Sequence, residues 1–288
     1  MNIIKFIESF TDDALLQQPT SRRGSLTQFG DLGKKAALAA VPGGLLALML
    51  APQKSSANVL LPDPTTEGPV SALQLGLMLE YLDSTFYQMG LDSAGLIPAG
   101  RDRTVFERIV LNENAHKASL IAALGGTGSP NYFAPPEFDF TANGLFPDPF
   151  NNYDIFLTLS QAFEDTGVRA YKGQAPNLMS TPDLLTTALQ IHSAESRQAA
   201  MVRMLRMEKG WITGSQMDAG MNASLQPVYA GEGNTTQMGI NISNLNNGSQ
   251  GPALSANAAT QAFDEPLTRP QVLAIADPFV EGEPLTEN

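Results

Sequence analysis

Two pairs of side chains, each spaced three residues apart, carry most of the chemistry this sequence offers: Glu113 with His116, and Glu195 with Gln198. The first pair lies in FERIVLNENAHKASLIAAL (106–124), where Phe106, Ile109, Leu120 and Leu124 recur at helical spacing. Positions 106, 109, 113, 116, 120 and 124 fall on one helix face. A carboxylate and an imidazole therefore stand where apolar residues belong. Burying an unpaired charge costs roughly several kcal/mol, so either the stripe is rotated and both groups reach its rim, or they are paired or hold a metal.

Three other segments repeat the arrangement. A helix expected over 70–89 places Glu80 on the stripe of Leu73, Leu77, Ser84 and Tyr87. One expected over 153–173, capped by Asn151 or Asn152, carries Glu164 between Leu157, Ser160, Gly167/Val168 and Tyr171. The fourth, opening at Thr181-Pro182-Asp183 and running to about Lys209, carries Glu195 and Gln198 between Ile191 and Val202. Its basic residues Arg203, Arg206 and Lys209 gather where a helix dipole favours them. The helix around Glu113 opens near Asp102 or Thr104, with Thr104 and Glu107 at capping-box spacing, and stops at Gly125-Gly126. Four carboxylates converging in one core do not all stay ionised without cations between them, and divalent metals bridged by carboxylates would neutralise them. Between the second and third helices lies a Pro-, Asn- and Phe-rich stretch, 127–151, with strand-like alternation at 137–141. A crossover of that length is needed when the second and third helices run parallel. The fold class is all-α: a four-helix bundle over 58–212.

Composition narrows the function. The chain has no Cys and two His, which excludes thiolate chemistry, disulfides and Fe–S clusters and leaves carboxylates as the main ligands for any metal. Its formal net charge is −12; residues 1–57 hold six basic and four acidic residues, so the remainder stands at −14, against a nucleic-acid partner. Arg22-Arg23, Lys34-Lys35, an apolar run over 36–51 and the small residues Ser55-Ser56-Ala57 have the layout of an export leader, with the arginine pair resembling a twin-arginine signal. The apolar run is short for a span, which needs ~20 residues. The membrane is then met only during export, and the mature chain belongs to the periplasm or cell envelope. Residues 213–288 form a C-terminal extension, mostly irregular and rich in Asn, Gly and Ser, with a docking segment at 263–279.

The segments LGLMLEYLDSTFY (75–87), NENAHKASLIAALGG (112–126), FEDTGVRAY (163–171), HSAESRQAAMVRML (192–205) and FDEPLTRPQVLAIADPF (263–279) resemble the ferritin-like superfamily of di-metal carboxylate bundles, and within it exported bacterial members, some described as desiccation-related. In that pattern one helix gives a Glu and the next gives E-x-x-H, and both are then repeated. The resemblance implies Glu80, Glu113 and His116 on one side of an iron or manganese site of one or two ions, and Glu164 and Glu195 on the other. Gln198 stands where the second His would be and offers a weaker neutral ligand. The resemblance thus implies a metal-binding envelope protein with oxidase, peroxide-handling or iron-handling activity, or a scaffold with a structural or stress-protective role that has lost part of the site. A small-molecule module using the bundle core is a third option. Tyr81, Tyr87 and Tyr171 are either partners of the site or aromatic core, and His192 either reaches the site or sits at the core edge.

Overall fold

The computed structural model describes residues 67–245 and 254–282. The leader expected over 1–57 lies outside them. Four long helices dominate: α1 (Pro69–Asp92), α2 (Arg101–Ala123), α3 (Tyr153–Gln174) and α4 (Pro182–Leu205). α1 packs on α2 and α3, and α4 packs on α3 and α2, giving a four-helix bundle.

Side-chain pairings set the directions. Arg103 of α2 donates to the Leu91 carbonyl, and Lys117 donates to Ser84 Oγ, so α1 and α2 are antiparallel. Tyr171 of α3 meets Glu80, and Tyr87 meets Glu164, so α1 and α3 are antiparallel too. α2 and α3 therefore run the same way, and the chain must return the length of the bundle between Leu124 and Asn152. This return packs on α1. Gln74 donates to the Asn131 carbonyl and Tyr81 to the Phe133 carbonyl. The Phe140 and Phe150 rings sit 5.1 and 5.5 Å from that of Phe86.

The expected strand at 137–141 is one antiparallel bridge, Phe138 with Val280, flanked by Asp139 N–H to Phe279 O and Glu281 N–H to Glu137 O. Alternation there reflects packing between bundle and C-terminal segment rather than a sheet. The chain's one described sheet is a hairpin of β1 (Thr236–Gln237) and β2 (Ile240–Asn241).

Local signals hold at some ends and fail at others. Asn152 caps α3, accepting from the Asp154 and Ile155 N–H groups at 3.1 and 3.3 Å. Gly126 N–H closes α2 on the Ile121 carbonyl. The capping box at Thr104 is not formed: α2 starts three residues earlier, the Thr104 hydroxyl bonds back to Gly100 O, and Glu107 pairs with Arg103. Pro182 opens α4, but the Thr181 hydroxyl bonds back to Leu178 O instead of capping. α4 stops at Leu205 rather than near Lys209. Arg203 and Arg206 serve side-chain partners: Arg203 donates to Asp218 Oδ2 at 2.6 Å, and Arg206 to Gln161.

The extension contributes core as well as cover. A 3-10 turn (Ala223–Tyr229), the short α5 (Ala256–Thr260) and α6 (Arg269–Ala276) punctuate it. Thr268 and Gln271 form a capping box at the start of α6. Leu225, Val228, Tyr229, Leu267, Val272, Leu273 and Phe279 are buried in the same cluster as Phe86, Phe156 and Phe163. As a result α1 and α3 are buried nearly all round, whereas α2 and α4 keep an outer face in solvent. No helix among the described residues is long and apolar enough to cross a membrane.

Candidate metal centre

Glu80, Glu113, His116 and Glu195 come together between the helices, each offering one donor atom, all within 4.8 Å of one another. The three carboxylates are no more than 2 % exposed. His116 Nδ1 is 3.2 Å from Glu195 Oε1 and 3.4 Å from both Glu80 Oε2 and Glu113 Oε2. One ring nitrogen thus faces carboxylates from α1, α2 and α4, although a single N–H is able to donate to only one of them at a time. Glu80 Oε2, Glu113 Oε2 and His116 Nδ1 are buried and make no hydrogen bond. Donors at ~2.1 Å from a shared ion lie ~3–4 Å apart, so this arrangement fits a divalent cation with small adjustments.

Neighbours fix the carboxylates' orientations. The Tyr171 hydroxyl donates to Glu80 Oε1. Tyr87 donates to Glu164 Oε1 at 2.6 Å. Glu195 lies against the backbone of α3 where Gly167 has no side chain; a Cβ there would stand 2.6 Å from Glu195 Oε2. Gly167→Ala is therefore expected to keep the helix, displace this carboxylate and weaken metal binding at least ~10-fold, the scale set by loss of orienting partners. A titration with Mn(II) checks it, and an unchanged affinity would show that Glu195 is not a ligand.

Charge is poorly balanced within the cluster. Burial, then repulsion from Glu113, pushes the Glu80 pKa well up. Burial and Glu113 push Glu195 up to about 7. For Glu113 burial acts the same way, but His116, Glu80 and Gln198 outweigh it and hold its pKa below the ordinary value. Burial opposes the imidazolium, yet Glu113, Glu195 and Glu80 together push His116 up to about 12. Without metal, His116 is the cation of the site. Burial holds the nearby Lys117 pKa down.

Of the residues expected from sequence, four form the compact group; Glu195 belongs to it and its charge also acts on Glu164. Glu164 is buried beside it, with Oε2 making no hydrogen bond. Gln198 turns its amide Nε2 to Glu113 Oε1 at 2.6 Å, while Asn112 donates to its Oε1. It acts here as a donor to the Glu113 and Glu195 carboxylates. Tyr87 and Tyr171 hold carboxylates, but Tyr81 serves the crossover. His192 is half-buried at the core edge, outside the group. Asp83 is a buried acid that the apolar stripes do not single out. It is 4 % exposed, and burial followed by repulsion from Glu113 and Glu195 pushes its pKa well up. The spacing Glu80-x-x-Asp83, parallel to Glu113-x-x-His116, is the signal for it in the sequence.

A cleft of about 350 Å³ opens between α2 and α4, walled by Val105, Ile109, Ala194 and Met201, with Arg108 and Arg197 among its polar residues. Asn112 and Gln198 also line it, so it reaches the edge of the cluster.

A search of curated proteins finds no match to this chain. Residues 68–208 match the family model of the ferritin-like domain, the stretch that spans all four bundle helices and every residue of the cluster. With the helix directions, the long crossover and the buried Glu/His group, this places the chain in the ferritin-like superfamily.

Proposed function

We propose that this protein holds iron or manganese between its four bundle helices and works in the cell envelope, as an oxidase, in peroxide handling or in iron handling. The observation that carries it is one imidazole nitrogen facing three buried carboxylates from three helices, with donor atoms left without hydrogen bonds. Glu80, Glu113, His116 and Glu195 are the residues that would hold the ion. Such a metal supplies a change of oxidation state and open positions for oxygen or peroxide. The chain's own part is positional. Tyr171 and Tyr87 orient carboxylates from the far side, Gly167 makes room for Glu195, and the aromatic cluster around Phe86 keeps that end of the site dry. The α2–α4 cleft gives small solutes an approach on the Gln198 side. The envelope location is supported by the leader-like sequence at 21–57.

Gln198 favours a second reading, a non-catalytic scaffold. Its amide N–H and the His116 cation together hold Glu113 and Glu195 in place without metal. Elemental analysis of protein purified without chelator and supplied anaerobically with Fe(II) or Mn(II) separates the two. Metal retained by the parent and lost in Glu113→Ala, with affinity falling by more than ~100-fold, is the expected result, since partners of ligands alone are worth ~10–100-fold. No metal in either protein would leave the scaffold.

A further inference from the structure

We propose that Asp83 is a ligand for a second cation position, completing with Glu164 the side of the site that Gln198 does not serve. This rests on the metal-binding reading above.

The placement follows from three residues of one stripe. Glu80, Asp83 and Tyr87 step by three and four along α1, so they share a face. Both ends of that stripe are tied to α3, Glu80 by the Tyr171 hydroxyl and Tyr87 through its 2.6 Å bond to Glu164. Asp83 lies between the ties. On antiparallel α3 the level between Tyr171 and Glu164 is that of Gly167, and the space over Gly167 is filled by the Glu195 carboxylate. Asp83 thus lies on α1 between the Glu80 and Tyr87 ties, at the level of Gly167 on α3.

Two buried oxygens there make no hydrogen bond: Asp83 Oδ1, on a side chain 4 % exposed, and Glu164 Oε2, on one 1 % exposed. The nearby protein cations are directed elsewhere. His116 Nδ1 faces Glu80, Glu113 and Glu195, and Lys117 donates to Ser84 Oγ. Gln198 directs its N–H groups at Glu113 and Glu195. An ion next to Asp83 and Glu164 would share Glu113 and Glu195 with the first, as bridging carboxylates do, and would supply the balancing charge. A carboxylate on α1 replaces a neutral amide on α4 as the fourth donor. Oxygen-only ligands suit manganese or iron at this second position.

Mn(II) alone is the probe. The parent is titrated and its metal content measured by elemental analysis, with the EPR spectrum recorded to detect spin coupling between bridged ions. The parent is expected to take up about two Mn(II) per chain, spin-coupled, and Asp83→Asn about one, uncoupled. Asp83→Asn keeps the side-chain shape and removes a buried charge, so cooperative thermal unfolding should persist. The double variant Asp83→Asn/Gln198→His, which returns a strong donor from α4, is expected to regain the second ion and the coupling. Two coupled ions in Asp83→Asn at unchanged affinity, or a parent that saturates at one ion, would overturn the role of Asp83 and leave the first position standing. No Mn(II) in the parent would overturn the metal reading and this inference together.

Discussion

Metal-free Glu195→Gln is expected to unfold roughly 5–10 °C above the parent at about pH 8 while losing its affinity for metal. The buried Glu195 carboxyl has its pKa raised from an ordinary 4.5 to about 7, first by burial and then by Glu113. The folded chain keeps this proton up to about pH 7, whereas the unfolded chain releases it near 4.5. Between those values the folded state binds more protons, so its stability falls as pH rises. Above about pH 7 the full cost is present, on the order of 3 kcal/mol. Gln removes the charge and keeps the shape. The gain should therefore be large at about pH 8 and shrink as the pH is lowered towards the ordinary carboxyl value. Asp83 and Glu80, also raised, add to the parent's slope, and His192, lowered by burial, opposes it weakly below its ordinary pKa. The same substitution removes one of four converging donors, so metal should no longer stabilise the fold. Thermal unfolding at two pH values, with and without Mn(II), tests both halves. A gain independent of pH, or stabilisation by metal equal to the parent's, would count against Glu195 as a buried ligand. Destabilisation of the empty fold that an ion relieves would be the expected cost of a preorganised cation cage.

The second large effect concerns the clamp that holds the extension on α3. Arg169 is buried, pairs with Glu232 at 2.7 Å, and also donates to the carbonyls of Glu265, Val228 and Ala230. Glu232 in turn accepts from the Glu265 N–H at 2.7 Å. Glu232→Ala would leave a buried guanidinium hydrogen-bonded to neutral carbonyls, with Asp264 and Asp165 acting on it without an ion pair, at a cost of about 3–5 kcal/mol. Total stabilities are only about 5–15 kcal/mol, so the loss should be plain in urea unfolding, and the chain beyond Trp211 should become sensitive to protease. Glu232→Gln should be milder. Burial pushes the Glu232 pKa up to about 7 despite Arg169, so its charge contributes little net stability and its hydrogen bonding matters more. Gly173→Ala is expected to release the same segment, because a Cβ there would lie 1.9 Å from the Leu267 carbonyl oxygen. Equal stability of Glu232→Ala and parent would show that the extension is held by apolar packing alone.

The helix count, the crossover and the four glutamates were legible in the sequence because period 3.6 and a polar residue on an apolar stripe are properties of one helix at a time. Asn152 as a cap and Gly125-Gly126 as a stop were legible for the same reason. Tertiary structure decided what depends on several segments at once. The alternation at 137–141 did not produce a strand, because its only β partner among the described residues is a single residue of the distant C-terminus. Arg203 does lie in the last turn of α4, but its guanidinium and that of Arg206 are directed to Asp218 and Gln161, groups that sequence distance hides. Asp83 fell one position off the stripe assigned to α1, yet α1 is buried nearly all round, so that neighbouring position also points inward. The direction of the Gln198 amide, which donates to Glu113 and accepts from Asn112, was set by those two residues together. By itself the sequence determined which groups are available to bind a cation. Only the packing of four helices around Gly167 and His116 decided which of them meet, because charge balance in a buried site is a property of the whole cluster.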